Sequence, residues 1–415
     1  MKTGVADASA SYAAEVARLL WPEPWDAPYV TRARHRTGQP HRDAYLFPSE
    51  RRPRLLVPAD VPGSSSMLRR LGPARSALGG PVRGLLERSV QSRAFALARW
   101  PMLRVPGRDA AADSVETHLA GHFGTPVRVG VILGTRRVNQ KPVLQVFDMS
   151  GRLLGYAKVG HNDLTAALVR REAAALASIG AREPRGFRVP RLIDHSRWGG
   201  LEILVTSPLV AGSGARDVSP VARANAMREV AALTARAAVQ LRASGFWAAL
   251  SGEVVRLSPE QSGARLARLA EQADERYGEH LVVLGGWHGD WSRWNMNTRD
   301  GVVQIWDWER YDPEVPWGFD AVHFAAQAIR SGRGDLREQE QTFLRSAPMG
   351  LQELGVHPAD HDRTLSLYLV AVAARYVDAM THSATPALQR RTDWVLSLLE
   401  RRCAAPPRGP RGELT

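Results

Sequence analysis

Apolar residues recur along this chain with two different periods, and the changes of period mark out its elements. Early on, Ala13, Val16, Ala17 and Leu20 repeat at helical spacing, which predicts a helix from Ala6 to Leu20. Pro22, Pro24 and Pro28 end it, because proline lacks the amide hydrogen a helix needs and its ring crowds the preceding turn. Two short apolar runs, Ala44-Tyr45-Leu46-Phe47 and Leu55-Leu56-Val57, flank a turn-prone stretch from Pro48 to Pro53 and predict a hairpin. Beyond Gly63 and Ser64 to Ser66, the basic region from Met67 to Trp100 reads as helical. Residues 1–115 contain no motif with assignable chemistry and are expected to form an N-terminal extension.

From Val115 the pattern sharpens. A short helix to Phe123 is followed by strand-like runs at Val127 to Leu133, Val143 to Phe147 and Leu153 to Val159. Asp148-Met149-Ser150-Gly151 supplies turn chemistry between the second and third, since aspartate bonds its own backbone and glycine accepts positive φ. A strong helical stretch, Leu164 to Ile179, stops at Gly180. Two more strands fit Leu192-Ile193-Asp194 and Leu201 to Val205. After Ser207-Pro208-Leu209 the period becomes helical, with helices expected at Pro220 to Ser244, Pro259 to Tyr277, Phe319 to Arg330, Asp335 to Arg345, His361 to Met380 and Pro386 to Arg401. A β-rich, irregular piece from Val282 to Trp308 interrupts them. The Pro- and Gly-containing tail, Ala404 to Thr415, is expected to be disordered.

Composition narrows the class. No apolar run approaches the roughly 18 residues of a membrane span, and the N-terminus lacks the basic start and apolar stretch of a secretory signal. The single cysteine, Cys403, excludes an internal disulfide framework or a cysteine metal cluster. These features predict a soluble, cytoplasmic chain without membrane partners. The net charge of +13 comes almost wholly from arginines scattered along the chain. That spread is a compositional bias rather than the concentrated stripe a nucleic-acid surface requires. His35 and His41, among Arg32, Arg34, Arg36 and Arg42, read as an exposed basic segment rather than a metal site. Against the arginine background the only lysines are Lys2, Lys141 and Lys158. A compact ammonium is not equivalent to a guanidinium among phosphates, so Lys158 calls for an explanation.

The chemistry concentrates in His288-Gly289-Asp290-Trp291-Ser292-Arg293-Trp294-Asn295 and Ile305-Trp306-Asp307-Trp308-Glu309. Phosphoryl transfer needs a carboxylate to orient a hydroxyl and oxygen ligands to hold metal against a triphosphate. Asp290 suits the first task, and Asn295 and Asp307 suit the second. The intervening Met296 to Gln304, with its Arg299-Asp300-Gly301 turn, predicts a hairpin that returns Asp307 beside Asn295. Five tryptophans (Trp287, Trp291, Trp294, Trp306 and Trp308) crowd this stretch, either to pack the loop or to stack a sugar or cationic acceptor.

The His-Gly-Asp-x-x-x-x-Asn stretch with Ile-x-Asp-Trp-Glu downstream resembles the aminoglycoside phosphotransferase and choline kinase-like family, over roughly Val115 to Met380. The order strand, strand, strand, helix, strand, strand is that of a kinase N-terminal lobe. The resemblance implies an α+β, bilobal protein kinase-like fold: a small β-rich N-lobe over residues 116–208, a larger helical C-lobe over 209–403, and a disordered tail over 404–415. It implies that Asp290 is the catalytic base, that Asn295 and Asp307 bind Mg2+, and that His288 and Asp320 support the loop. It further implies that Lys158, paired with Glu172, contacts the nucleotide phosphates, and that Leu204 to Leu209, including Ser207 and Leu209, forms the hinge that meets adenine. The implied partners are ATP (or GTP) and a small-molecule hydroxyl acceptor such as a sugar, amino alcohol or antibiotic. The rival reading is a nucleotide-binding scaffold without transfer activity, which loss of a key residue would signal.

Three departures from the protein kinase pattern are present. The stretch Gly134 to Asn139 has no Gly-x-Gly-x-x-Gly, and Gly289 stands where protein kinases place an arginine. Trp308 to Phe319 is also too short for a usual activation loop. Both the arginine and the loop serve protein phosphorylation, so a protein substrate is not expected.

Overall fold

The computed structural model describes residues 2–32, 38–70, 99–134, 140–209, 218–235, 237–327, 329 and 335–404. The chain divides into two compact units, Met1–Ala174 with Pro190–Leu209, and Ala175–Val189 with Val210–Thr415. The expected helix from Met67 to Trp100 and the loop from Thr135 to Asn139 lie almost entirely outside the described residues, as does the tail beyond Ala404.

The first unit is organised on one antiparallel sheet. Its strands are β1 (Tyr29–Thr31), β2 (His41–Phe47), β3 (Leu55–Pro58), β4 (Met102–Pro106), β5 (Val127–Ile132), β6 (Val143–Asp148), β7 (Leu153–Gly160), β9 (Leu192–Trp198) and β10 (Leu201–Thr206). A two-residue strand of the second unit, β8 (Phe187–Arg188), falls between them in sequence. The spatial order is β1-β4-β2-β3-β5-β6-β7-β10-β9. The predicted hairpin is present, in the register Ala44↔Pro58 to Phe47↔Leu55. β3 then pairs with β5 through Leu55↔Ile132 and Leu56↔Val131. Four strands from the first 115 residues therefore share a sheet, and a compact unit, with the strands that follow.

The helix Lys2–Leu20 buries Ala13, Val16, Ala17 and Leu20 in the core of this unit, the stripe its periodicity predicts. The turn after β6 forms as its residues dictate, with Asp148 Oδ1 accepting from the Ser150 and Arg152 amides. Gly151 there has φ +89°, and a Cβ on Gly63 would lie 2.1 Å from the Gly151 carbonyl oxygen, so two backbones touch where no side chain fits. Buried charge is paired: Arg104 forks onto Asp43 with two 2.7 Å bonds, and Glu116 takes Arg42 at 2.5 Å. Burial pushes the Glu116 carboxyl up, and Arg42 and Arg128 pull it back.

The second unit is mainly helical: Pro220–Ala232, Gly245–Leu257, Gln261–Tyr277, Phe319–Ala326, Leu336–Glu353, His361–His382 and Pro386–Ala404. Short strands β11 (Val239–Gln240), β12 (Leu281–Val282), β13 (Leu284–Trp287), β14 (Met296–Arg299), β15 (Val302–Ile305) and β16 (Asp312–Pro316) interrupt them. The single helix expected from Pro220 to Ser244 is shorter, and another, Gly245–Leu257, follows where none was expected. The first stops at Ala232, because Val239 and Gln240 are drawn into pairing with Val282 and Leu281. Ser244, read as a helix end, is the N-cap of the next helix, its hydroxyl accepting from the Trp247 amide at 3.1 Å. The expected helix from Asp335 continues well past Arg345 to Glu353, with Pro348 inside it. The core of this unit gathers Phe246, Trp247, Trp287, Phe319 and Tyr368 with aliphatic residues of the surrounding helices.

Candidate active site

β13 ends at Trp287, and the chain enters the loop His288 to Asn295. β13 pairs antiparallel with β16, Trp287 facing Asp312, which fixes where the loop begins. Gly289 then reverses the chain at φ +79°, and a Cβ there would lie 2.3 Å from the Arg310 carbonyl oxygen. Only glycine meets both conditions.

The loop is pinned from below by buried side chains. Asp320, near the start of helix Phe319–Ala326, accepts from the His288 amide at 2.7 Å and the Gly289 amide at 3.2 Å. Burial pushes its carboxyl up to about 7, while the two amides and Arg375 act in the opposite direction. Arg375 donates to the Gly289 carbonyl at 2.7 Å and lies 4.9 Å over the Trp287 ring. His288 is fully buried, and burial depresses it to about 4, so it is neutral at physiological pH. The Asp290 amide donates to its Nδ1 at 3.2 Å, which leaves Nε2–H to donate to the Trp306 carbonyl at 3.1 Å. With both ring nitrogens committed, this imidazole ties the loop to the strand end and has no proton to exchange with a ligand.

Asp290 is more open, its side chain 37% exposed. Asn295 donates through Nδ2 to the Asp290 backbone carbonyl and to Oδ2, each at 3.0 Å. The amide is thus oriented with its nitrogen toward Asp290, and its oxygen is the atom left for a cation. The hairpin of β14 and β15 runs in the register Met296↔Ile305 to Arg299↔Val302, with Asp300 and Gly301 both at positive φ in the turn. One step beyond that ladder the Trp306 amide donates to the Asn295 carbonyl at 3.1 Å, and Asp307 follows directly. Asp307 sits at φ +74°, ψ +57°, a left-handed conformation that aspartate tolerates better than most residues.

In the first unit, Lys158 on β7 donates to both carboxylate oxygens of Glu172 at 2.7 Å. Glu172 is almost fully buried on helix Asp163–Gly180, whose start is capped by Asn162 accepting from the Thr165 amide. Ser207 follows β10; its amide donates to the Arg191 carbonyl at 2.8 Å and its hydroxyl accepts from the Arg191 amide. That amide is therefore committed within the protein, and Leu209 is half-buried at the end of the described segment.

The tryptophans divide by role. Trp287, Trp291 and Trp308 are buried and pack the loop, with Trp308 4.6 Å from the His288 ring, whereas Trp294 is 62% exposed. Sequence reasoning missed His323, Tyr368 and Arg375. His323 Nε2 lies 3.4 Å from Asp290 Oδ1 and 2.7 Å from the Gln327 amide nitrogen, and its Nδ1 lies 3.0 Å from the Tyr368 hydroxyl. Burial lowers the pKa of His323. A neutral ring that accepts from Gln327 at Nε2 donates from Nδ1 to the Tyr368 hydroxyl, and in that tautomer Nε2 has no proton to give Asp290. The available signal was the spacing Asp320-x-x-His323, which puts both side chains on one helix face.

No family model matches the sequence, and no curated protein matches it. Among solved structures, it is similar to a thermostable mutant of the aminoglycoside phosphotransferase APH(4)-Ia in ternary complex with ADP and hygromycin B. The identity is 13%, over 70% of this chain and 98% of that one, with a TM-score of 0.45. It is also similar to a choline/ethanolamine kinase family protein from Mesorhizobium loti, at 14% identity over 71% of this chain and 92% of that one, TM-score 0.39. A third is the aminoglycoside phosphotransferase APH(3'')-Id from Streptomyces rimosus with ADP and streptomycin, at 20% identity over 58% and 90%, TM-score 0.38. On its own strand order (β5, β6, β7, helix, β9, β10) and the loop that follows β13, this chain has a mixed α+β, protein kinase-like fold.

Proposed function

We propose that this protein is a phosphotransferase that moves the γ-phosphoryl group of ATP or GTP to a hydroxyl of a small molecule. The observation that carries the reading is the loop His288 to Asn295. It is braced by Asp320, His288 and Arg375, and it presents the partly exposed carboxylate of Asp290, with Asn295 bonded to it. Nothing in that bracing is needed for a simple turn. It keeps one partly exposed carboxylate in a fixed place.

In this reading Asp290 orients the acceptor hydroxyl and takes its proton as the oxygen bonds to the γ-phosphorus. The bond to the β–γ bridging oxygen breaks, and the nucleoside diphosphate leaves with that electron pair. Lys158, held extended by Glu172, binds phosphate oxygens, and the segment Ser207 to Leu209 meets the base. Asn295 and Asp307 suit magnesium, because both offer oxygen donors and the Asn295 nitrogen is already turned to Asp290. Such an ion neutralises phosphate charge when bound. Trp294, exposed in the same loop, offers a face for a sugar or a cationic acceptor.

The test is single-turnover transfer from labelled ATP with Mg2+ across a panel of amino alcohols, sugars and aminoglycosides. It compares wild type, Asp290→Asn and Asp307→Ala. Asp290→Asn is expected to lose about 10²–10⁴-fold in rate while keeping its nucleotide-dependent thermal shift. Full transfer activity in well-folded Asp290→Asn would remove the proposed mechanism.

A further inference from the structure

We propose that His118, His122 and Asp194 form a binding site for a divalent transition ion, zinc above all. The site would clip helix Val115–Phe123 to the edge strand β9 of the first unit. His118 and His122 are four residues apart, so they lie on one face of that helix. The helix is fixed at both ends: Ser114 and Thr117 form a reciprocal capping box, and Gly124 closes the other end in the left-handed conformation. Asp194 and Ser196 are two apart on β9 and share one face of the strand. β9 is the last strand of the sheet, its register set by Val205↔Asp194 and Ile203↔Ser196.

The donor atoms of the two imidazoles and the carboxylate all lie within 4.8 Å of one another. His122 Nε2 is 3.3 Å from Asp194 Oδ2, and His118 Nε2 is 3.1 Å from the Ser196 hydroxyl, which itself donates to Asp194 Oδ2 at 2.6 Å. Zinc bonds to nitrogen and oxygen are about 2.0–2.2 Å, so neighbouring donors around a tetrahedral ion sit about 3.3–3.5 Å apart. The His122–Asp194 pair already has that spacing, and small rotations of His118 complete a three-donor set. Ser196 or a water can fill the fourth position.

The surroundings hold the ligands in place. Trp198 stacks on His118 at 5.9 Å, and its indole nitrogen lies 3.1 Å from both carboxylate oxygens of Asp113. Two imidazoles and one carboxylate select zinc, cobalt, nickel or copper over magnesium, which takes oxygen donors. The ion would therefore be separate from any magnesium bound through Asn295 and Asp307. Its effect is mechanical: it joins a helix to a strand that has a sheet neighbour on one side only.

The experiment uses the full chain, stripped with chelator and desalted, then titrated with Zn2+ and separately with Co2+. The expected result is about one tightly held Zn2+ per chain, a higher melting temperature, and the intense visible absorption of tetrahedral Co2+ that Zn2+ displaces. His122→Asn and Asp194→Asn should each weaken Zn2+ binding by tenfold or more, whereas His357→Asn, on a different unit, should leave it unchanged. His122 is exposed, and circular dichroism of the metal-free variant checks that it folds. Wild type that holds no Zn2+, a weak octahedral Co2+ spectrum, or wild-type affinity in both site variants would overturn the proposal.

Discussion

Asp307 occupies a backbone region that costs an L-residue roughly 1–2 kcal/mol, and glycine would adopt it freely. Retaining aspartate there is explicable if the carboxylate is needed more than the relaxed backbone. Asp307→Gly should therefore keep or raise the melting temperature while abolishing the Mg2+-dependent thermal shift with ATP. A variant that retained that shift would separate the strain from metal binding. Asp320 gives a pH dependence with a definite sign. Its folded value of about 7 stands above the ordinary 3.8, so between those values the folded state binds a proton that the unfolded state has released. Its contribution to stability is full below about pH 4 and is lost as pH rises toward 7. Denaturant unfolding of wild type should show stability falling over that window by a few kcal/mol at most, and Asp320→Asn should show no such slope. The catalytic role proposed for Asp290 came from the sequence; the cluster of His323, Tyr368 and Gln327 beside it did not, because those side chains converge from two different helices.

At the scale of elements, the loop His288 to Asn295 depends on one residue without a side chain. Gly289→Ala places a Cβ against the Arg310 carbonyl at a positive φ, and should destabilise the protein by more than about 1 kcal/mol with loss of transfer activity. Thermal denaturation and the transfer assay together check this. Ser244→Ala removes the cap of helix Gly245–Leu257 and should cost about 0.5–2 kcal/mol in chemical denaturation, with transfer activity preserved. Ser244 stands at the end of the helix expected from Pro220, yet it begins one. Local propensity favoured one long helix, and the pairing of Val239 and Gln240 with β12 broke it. The β14–β15 hairpin, by contrast, was fully legible, since Asp300-Gly301 specifies its turn and the strands follow from it.

For the whole molecule, the first 106 residues are the test of how the chain is divided. They contribute β1 to β4 to the sheet, and β3 covers the edge of β5. A chain lacking residues 1–106 would expose that edge along with the apolar surface that Leu56 and Leu103 cover. It is expected to be insoluble or to lose cooperative unfolding, measured by expression and calorimetry. No helix among the described residues is long and apolar enough to cross a membrane, in keeping with the absence of long apolar runs in the sequence. The sequence by itself determined the strand order from Val127 to Val205, the Asp148 and Asp300 turns, and the short-range spacing of Asp290, Asn295 and Asp307. Each of these is encoded by residues close together in the chain, through period, turn chemistry or motif. Only the tertiary structure decided that the N-terminal strands join the same sheet, that Ser244 begins a helix, that Arg375 and His323 reach the loop, and that His118 and His122 face Asp194. Those outcomes join residues some 30 to 90 positions apart, or replace a local preference with a distant pairing. No periodicity along the chain records them, because the energy that selects them arises only when separate elements bury surface against each other.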